Sequence, residues 1–216
     1  MFVMKKVSVL IPAFNEEKNI ENVIKYVQGR DLVDEVIVID NNSTDKTNEI
    51  AKRLNVKTIM CKTMGKGYAM TCGLKYAKND VVVFLDADIS NYADDMISKM
   101  VEPIINDNYD FVKSDFTREG GRVTELVAKP LLELLFPKLN FNQPLSGIIA
   151  GKKEFFKSLE FEKDYGIDVG ILIDAYLSNV KMKEVYIGNI KNESQDWKDL
   201  KLMAKQVIYS ILKRAK

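Results

Sequence analysis

The sequence predicts an α/β fold with a mostly parallel central sheet flanked by helices. Short apolar runs such as 7–11 and 81–85 lack polar alternation, which is typical of strands covered on both faces. Apolar residues between such runs recur at helical spacing, as in 20–27 and 96–104. Strand and helix alternate over roughly 110 residues, and this pattern indicates a parallel sheet with right-handed crossovers. No linker or repeat interrupts residues 1–216, so we predict a single domain.

Composition narrows the class of protein. The 32 Lys and Arg residues balance 31 Asp and Glu residues, which argues against a surface built for nucleic acid. Cys61 and Cys72, without any histidine, form neither a zinc pattern nor a disulfide framework, so we expect free thiols in a reducing compartment. No apolar stretch approaches the ~20 residues of a membrane span, and no signal peptide is evident. We therefore expect a cytoplasmic protein without a membrane span.

Polar residues follow four successive predicted strands, at the edge where open sheets of this kind bind ligands. One such cluster is ordinary turn chemistry, but four at neighbouring strand ends predict a binding site. The residues are Pro12, Asn15 and Glu16 after the first strand, Asp40, Asn41 and Asn42 after the second, Gly65, Lys66 and Gly67 after the third, and Asp86, Ala87 and Asp88 after the fourth.

Two of these strand ends point to specific chemistry. Asp86 and Asp88 are two residues apart, so their carboxylates can face one pocket, and hard oxygen ligands suit Mg²⁺ or Mn²⁺ bound to a diphosphate. Lys66 lies between two glycines at a predicted helix start, where backbone N–H groups and a cation favour an anion. The alternative for the lysine segment is a simple glycine turn.

Segments 8–16, 39–45 and 86–88 together resemble the nucleotide-sugar half of GT-A glycosyltransferases of the family-2 type. The resemblance covers about residues 5–115 and implies the GT-A fold. It also implies base and ribose contacts, a metal–diphosphate contact from Asp88, and a ribose or metal contact from Asp86. The donor and cofactor site that we expect comprises Pro12, Ala13, Asn15, Glu16, Asp40, Asn42, Lys66, Asp86, Ala87 and Asp88.

Segments 120–132, 143–147 and 165–174 are similar to glucosyl-3-phosphoglycerate synthases. This resemblance implies a retaining, metal-dependent hexosyltransferase. It would move glucose or mannose from a nucleoside-diphosphate sugar, with uridine as the expected base, to a small anionic acceptor such as 3-phosphoglycerate. We expect residues up to about 115 to bind the nucleotide sugar and those from about 116 to 216 to bind the acceptor.

The second half also offers residues with suitable chemistry. Arg122 follows two glycines and presents a fork for phosphate or carboxylate, although a surface salt bridge is the alternative. Thr124 is predicted to cap a helix. Asp168 suits a helix N-cap, and in the family pattern an acidic residue here lies near the transferred sugar; the two roles are compatible. We expect Lys66, Arg122 and Asp168 to be catalytic, and Gly121, Arg122, Thr124, Ser146, Gly147, Asp168 and Ser194 to bind substrate.

One departure concerns the metal. The resembling synthases use a histidine near the C-terminal part as a further metal ligand, and this chain has none. Asn192 falls at the expected position, with Glu193 as the alternative, so the predicted metal ligands are Asp86, Asp88 and Asn192. Carboxyl groups with ordinary pKa values near 4 would make metal affinity nearly independent of pH from about 7.5 to 5.5.

The basic helix predicted from residue 197 onward leaves a further choice open. It could lie on an anionic membrane, or dock on the body of the protein or on a second subunit. We favour docking and expect a homodimer. Rival functions are a polyprenyl-phosphate glycosyltransferase at a membrane surface and a catalytically weak nucleotide-sugar-binding protein.

Overall fold

The computed structural model describes residues 6–89, 91–118, 120–191 and 196–215. The strands are β1 (Val7–Ala13), β2 (Val33–Asp40), β3 (Lys57–Met60), β4 (Val81–Phe84), β5 (Phe111–Thr117), β6 (Ile149–Lys152) and β7 (Met182–Asn189). The α-helices are α1 (Ile20–Gln28), α2 (Thr47–Arg53), α3 (Lys66–Tyr76), α4 (Met96–Asn106), α5 (Lys129–Leu135), α6 (Lys153–Lys157), α7 (Ile167–Leu177) and α8 (Trp197–Arg214), and a π-helical turn (Thr124–Ala128) precedes α5.

These strands form one seven-stranded sheet in the order β3-β2-β1-β4-β6-β5-β7. Strands β1 to β4 pair in parallel, as predicted, and β5 is parallel to β7. Strand β6 lies between β4 and β5 and is antiparallel to both. The sequence predicted only an irregular segment over 140–151, because four residues containing Ala150 and Gly151 carry little strand signal.

Apolar clusters cover both faces of the sheet. Leu10 and Val82 belong to a cluster with residues of α3 and α7, whereas Val9 and Val83 belong to a cluster with residues of α1 and α4. Successive residues of a strand point to opposite faces, so both faces of β1 and β4 must be largely apolar; Ser8 is the polar exception in β1, and its hydroxyl donates to the Glu35 carboxylate. This two-sided burial explains the uninterrupted apolar runs in the sequence.

Helix α8 docks on the body of the protein. Val207 and Ile211 are fully buried, and the Arg214 guanidinium donates to the Asp174 carboxylate of α7 at 2.7 and 2.8 Å. Arg214 also donates to Glu162 at 2.8 Å. Within the described ranges, no helix is long and apolar enough to cross a membrane.

Candidate active site

A cavity of about 680 Å³ opens beyond the carboxyl ends of β1, β2 and β4, where the parallel sheet predicted a site. Residues of both halves line it. The predicted residues among its lining are Pro12, Ala13, Glu16, Lys66, Asp86, Ala87, Asp88, Gly121, Arg122, Thr124, Ser146 and Asp168. Asn192, Glu193 and Ser194 lie outside the described residues.

A charged cluster joins the two halves inside this cavity. The Lys66 ammonium donates to Asp86 Oδ1 at 3.0 Å and to Asp168 Oδ2 at 2.8 Å. Burial alone would lower the pKa of Lys66, but the two carboxylates outweigh it and raise that pKa, so the lysine is a fixed cation. Asp168 is 2% exposed, and its Oδ1 has no hydrogen-bond partner among the described residues. Burial raises the pKa of Asp168, and Lys66 opposes that shift.

The predicted N-cap role of Asp168 is wrong. Helix α7 begins at Ile167, with Gly166 as its N-cap, so Asp168 lies within the first turn. Its carboxylate points to Lys66 instead of capping the backbone. A helix start still places that carboxylate near backbone N–H groups, which suits a negative charge.

Glycines allow the backbone to approach this cluster. A Cβ atom on Gly147 would lie 2.2 Å from Asp86 Oδ1 and 2.4 Å from Lys66 Nζ, so any side chain there would displace the ion pair. A Cβ atom on Gly67 would lie 1.7 Å from the Glu162 carbonyl oxygen. Gly65 has φ +133°, a conformation that strongly favours glycine. The glycines flanking Lys66 therefore allow the backbone to pack closely, while the Lys66 side chain belongs to the charged cluster.

Asp88 is half-buried in the cavity and forms no ion pair within the described part of the chain. Burial and the neighbouring Asp86 raise its pKa to about 6. The expectation that both carboxyls keep pKa values near 4 is therefore wrong for Asp88, because sequence spacing alone does not reveal desolvation.

The donor set of the described residues fits a metal held jointly with a ligand. No group of three or more His, Cys, Asp or Glu side chains that could hold a metal ion occurs among them. Mg²⁺ usually binds one or two carboxylates together with substrate phosphates, and Asp88 with Asp86 provides that number. Because Asn192 is not described, its predicted role as a third ligand stays a prediction.

Three residues predicted to bind the donor lie outside the cavity lining. Asp40 is fully buried, and its carboxylate accepts hydrogen bonds from the Ser43 N–H at 3.0 Å and the Asn48 amide at 2.9 Å. Asn15 Oδ1 accepts from the Thr44 N–H at 2.8 Å. Asn42 has φ 68°, the left-handed conformation that asparagine tolerates. All three shape the loops behind the cavity, and their contacts with a donor stay predictions.

Asn41 contributes to the cavity, although sequence reasoning did not select it as a site residue. Its Oδ1 accepts from the Gly65 N–H at 2.7 Å, and its Nδ2 donates to the Thr63 carbonyl at 2.7 Å. Asn41 thereby fixes the loop that leads into Lys66. The signal was present in the run of polar residues after β2, where Asn41 stands between two residues that were selected.

Arg118 was missed entirely. It lines the cavity, and its Nη2 donates to Thr124 Oγ1 at 3.1 Å, while its buried Nε lacks a partner among the described residues. Burial lowers the pKa of Arg118, and the carboxylates of Asp86 and Asp88 oppose that shift. No motif marks this residue, since it only precedes the recognisable glycine pair.

Arg122 and Thr124 both line the cavity, but Thr124 does not have the helix-capping role expected from sequence. The Arg122 guanidinium lies 5.2 Å from the centre of the Trp197 ring and forms no ion pair in the described ranges, so the salt-bridge alternative is not observed. Thr124 does not cap a helix: it begins a π-helical turn, and its hydroxyl accepts from Arg118. π-Helical turns are frequent at functional sites.

The sheet order, the acidic strand end after β4 and the two-sided cavity define the GT-A class of glycosyltransferase. The chain belongs to glycosyl transferase family 2, whose family model matches residues 8–157.

Within this family, the chain is similar to glucosyl-3-phosphoglycerate synthases in sequence and in structure. The chain is 33% identical to the glucosyl-3-phosphoglycerate synthase of Mycolicibacterium smegmatis, over 97% of this chain and 78% of that protein. It matches the crystal structure of glucosyl-3-phosphoglycerate synthase from Mycobacterium tuberculosis in complex with Mn²⁺, UDP-glucose and phosphoglyceric acid with a TM-score of 0.92, at 36% identity, over 98% of this chain and 80% of that one. Another structure of that enzyme, in complex with Mg²⁺ and UDP, has the same TM-score.

Proposed function

We propose that this glycosyltransferase moves glucose from UDP-glucose to 3-phosphoglycerate, in a reaction that depends on Mg²⁺ or Mn²⁺ and retains the anomeric configuration. The observation that carries the proposal is that one cavity is lined by both carboxylates and guanidinium groups. Asp86 and Asp88 suit a metal–diphosphate, whereas Arg118 and Arg122 suit an anionic acceptor. The similar synthase from Mycobacterium tuberculosis has been crystallised with Mn²⁺, UDP-glucose and phosphoglyceric acid.

Donor binding uses the first-half side of the cavity. Asp88 and Asp86 would hold the metal ion, which neutralises charge on the leaving diphosphate. The Lys66 ammonium uses two of its three N–H donors on Asp86 and Asp168. The third has no partner in the part of the chain that the structure describes, so it can donate to a diphosphate oxygen. Because both carboxylates fix this cation in advance, it stabilises the charge that develops as the glycosidic bond breaks.

Acceptor binding uses two arginines on either side of Gly120 and Gly121. An acceptor with a carboxylate and a phosphate carries two anionic groups, and the described lining of the cavity supplies two guanidinium groups. Among the described residues the buried Nε of Arg118 has no hydrogen-bond partner, so its N–H can donate to the acceptor. Asp168 Oδ1 also lacks a partner within the described ranges, so it can accept from a hydroxyl of the sugar or of the acceptor substrate.

We also propose that the enzyme works in the cytoplasm as a homodimer. Two free cysteines suit a reducing compartment. Helix α8 leaves Trp197, Leu202, Tyr209 and Leu212 substantially exposed after docking, and such a surface suits a second subunit. Sedimentation at several protein concentrations tests the dimer.

The decisive experiment is an activity screen of purified protein, with UDP- and GDP-linked glucose and mannose as donors. Acceptors should include 3-phosphoglycerate, D-glycerate and a polyprenyl phosphate in liposomes, each with Mg²⁺, Mn²⁺ or a chelator. We expect transfer from UDP-glucose to 3-phosphoglycerate that the chelator abolishes. Preferential transfer to the polyprenyl phosphate, or donor binding without transfer or donor hydrolysis, would overturn the proposal.

A further inference from the structure

Strand β5 carries a lysine, Lys113, that is fully buried beneath the cavity. Lysine is almost never fully buried without an ionic partner, because removing the ammonium from water is costly. Within the described ranges Lys113 forms no ion pair. Its Nζ donates to two backbone carbonyls, that of Ser146 at 2.7 Å and that of Asp168 at 3.1 Å.

Both carbonyls belong to segments that shape the charged cluster. Asp168 supplies the carboxylate that accepts from Lys66. Ser146 precedes Gly147, whose backbone packs against the Lys66–Asp86 pair. A second contact holds the same loop, since the Ser146 and Ser114 hydroxyls lie 2.6 Å apart. One buried ammonium therefore ties β5 to both segments that enclose the Lys66 ammonium.

The position would suit an apolar residue if packing alone mattered. Lys113 shares a strand face with Phe111, which belongs to the apolar cluster that includes residues of α7. A methionine of similar length would fill this space without desolvating a charge. The buried charge therefore indicates a role at the site above it.

We propose that Lys113 is a positioning residue for the glycosyl transfer reaction: its ammonium fixes the backbone of Asp168 and Ser146 and thereby sets where the Asp168 carboxylate meets Lys66 and the bound sugar. This proposal rests on the proposed function, because its kinetic test measures glycosyl transfer. Lys113 is not itself exposed to substrate.

The electrostatic surroundings give this role a pH signature. Burial lowers the pKa of Lys113 to about 8; Asp168, Asp86 and Glu184 raise it in part, and the second cation, Lys66, lowers it further. Lys66 stays protonated in this range because its own pKa is raised. Above pH 8 the neutral amine is a weaker donor than the ammonium, so the hold on the two carbonyls weakens.

Unfolding would not produce the same signature. The pKa of Lys113 is lower in the folded protein than its ordinary value of 10.5, so the folded state loses this proton first. The contribution of Lys113 to stability is therefore least favourable below pH 8 and improves as pH rises toward 10.5. Between about pH 8 and 10.5, activity should therefore fall while deprotonation of Lys113 favours the folded state.

The test compares wild type, Lys113→Met and a control, Lys153→Met, between pH 6.5 and 9.5. Lys153 is half-buried and also donates to a backbone carbonyl, that of Ala77, but lies away from the cavity. We expect the wild-type kcat to fall several-fold with an apparent pKa near 8. Lys113→Met should lose at least about tenfold in kcat, keep its donor affinity, and lack this alkaline limb. The control should match wild type.

A second measurement does not depend on turnover. The backbone amide resonances of 146–148 and 167–169 should shift with a midpoint near pH 8 in wild type and not in Lys113→Met. Should Lys113→Met fail to fold, the wild-type amide shifts and the alkaline limb must still share one midpoint. An unchanged kcat in Lys113→Met, a limb that survives in it, or amides that do not respond would overturn the proposal. Absence of any transfer by wild type would instead contradict the proposed function, with the amide titration still deciding the role of Lys113.

Discussion

The two halves of the cavity use their polar groups differently. In the first half, the side-chain oxygens of Asp40 and Asn41 accept hydrogen bonds from neighbouring loops and from helix α2. In the second half, Arg118 Nε and Asp168 Oδ1 are buried without partners among the described residues. An unpaired buried polar atom costs roughly 1–3 kcal/mol, so such atoms indicate contacts that a ligand completes. The polar groups of the first half are thus paired within the protein, whereas those of the second half are placed to bind a substrate.

Asp88 in the first half departs from this pattern. It is half-buried beside Asp86 and has no ion-pair partner in the described ranges. The contrast between the halves therefore predicts large effects at Asp88, Asp168 and the arginines, and effects mainly on folding at Asp40.

The largest effect is expected at Asp88. Asp88→Asn keeps the shape but removes the charge, so affinity for the metal–UDP-glucose complex should fall by about 100-fold or more, which corresponds to about 2.7 kcal/mol. Calorimetric titration with and without metal measures this loss. Asp94→Asn is the control, because Asp94 is an exposed partner of Arg30 outside the cavity. Equal affinities in the two variants would remove Asp88 from the metal site.

Asp168 should have the next largest effect, on turnover instead of donor affinity. Asp168→Asn removes the charge that holds the Lys66 ammonium in place and replaces a carboxylate oxygen that has no partner among the described residues. Because loss of one preorganised electrostatic group typically costs about 100-fold or more in turnover, kcat should fall about 100-fold. Donor affinity should change by less than about threefold, or 0.7 kcal/mol. Asp174→Asn on the same helix is the control, since it breaks an ion pair with Arg214 and should lower the melting temperature with kcat unchanged. A similar kcat in both variants would assign Asp168 a structural role.

The first half was the more predictable from sequence. Its site residues follow apolar strands directly, so the strand-end rule brings Lys66, Asp86 and Asp88 together without tertiary information. The rule also selects Asp40 and Asn42, which lie outside the cavity lining and whose donor contacts stay predictions. The sequence does not tell which polar side chain of a turn faces the ligand and which holds the loop.

The second half was less predictable because its site depends on long-range placement. Strand β6 reverses direction between β4 and β5, and this reversal brings Ser146 and Gly147 back to the cavity. Family resemblance identified those two residues, but nothing local to Arg118 or Lys113 indicates a site. What distinguishes them is burial and, for Lys113, a partner 55 positions away, the Asp168 carbonyl.

Arg118 and Arg122 test whether the second half binds the acceptor. Each change to glutamine should raise the acceptor KM at least about tenfold, since a charge-assisted hydrogen bond contributes roughly 1.5–3 kcal/mol, and donor affinity should persist. Initial rates against 3-phosphoglycerate measure this effect. Arg53→Gln, which affects an exposed pair with Glu21, is the control. Loss of donor affinity in either cavity variant would move that arginine to the nucleotide side.

The smallest expected effect is the pH dependence of metal–UDP-glucose affinity, which tests Asp88 in the first half. Burial and Asp86 raise the pKa of Asp88 to about 6, so a proton competes with the metal at this carboxylate below pH 6. Affinity for metal–UDP-glucose should be nearly constant from pH 8 to 7 and about tenfold weaker at pH 5, as one bound proton requires. UDP-glucose suits the titration because its diphosphate has no oxygen that titrates in this range.

Stability should respond in the opposite direction. The pKa of Asp88 is higher in the folded protein than its ordinary value of 3.8, so protonation favours the folded state as pH falls from 6 toward 4. Metal-free protein should therefore gain stability from this group over the range in which it loses metal affinity. Calorimetric titrations and thermal melts of wild type and Asp88→Asn at each pH separate the two effects. If the remaining metal affinity of Asp88→Asn falls with pH as steeply as that of wild type, the competing proton binds elsewhere, and Asp86 or a ligand near residue 192 becomes the group to test.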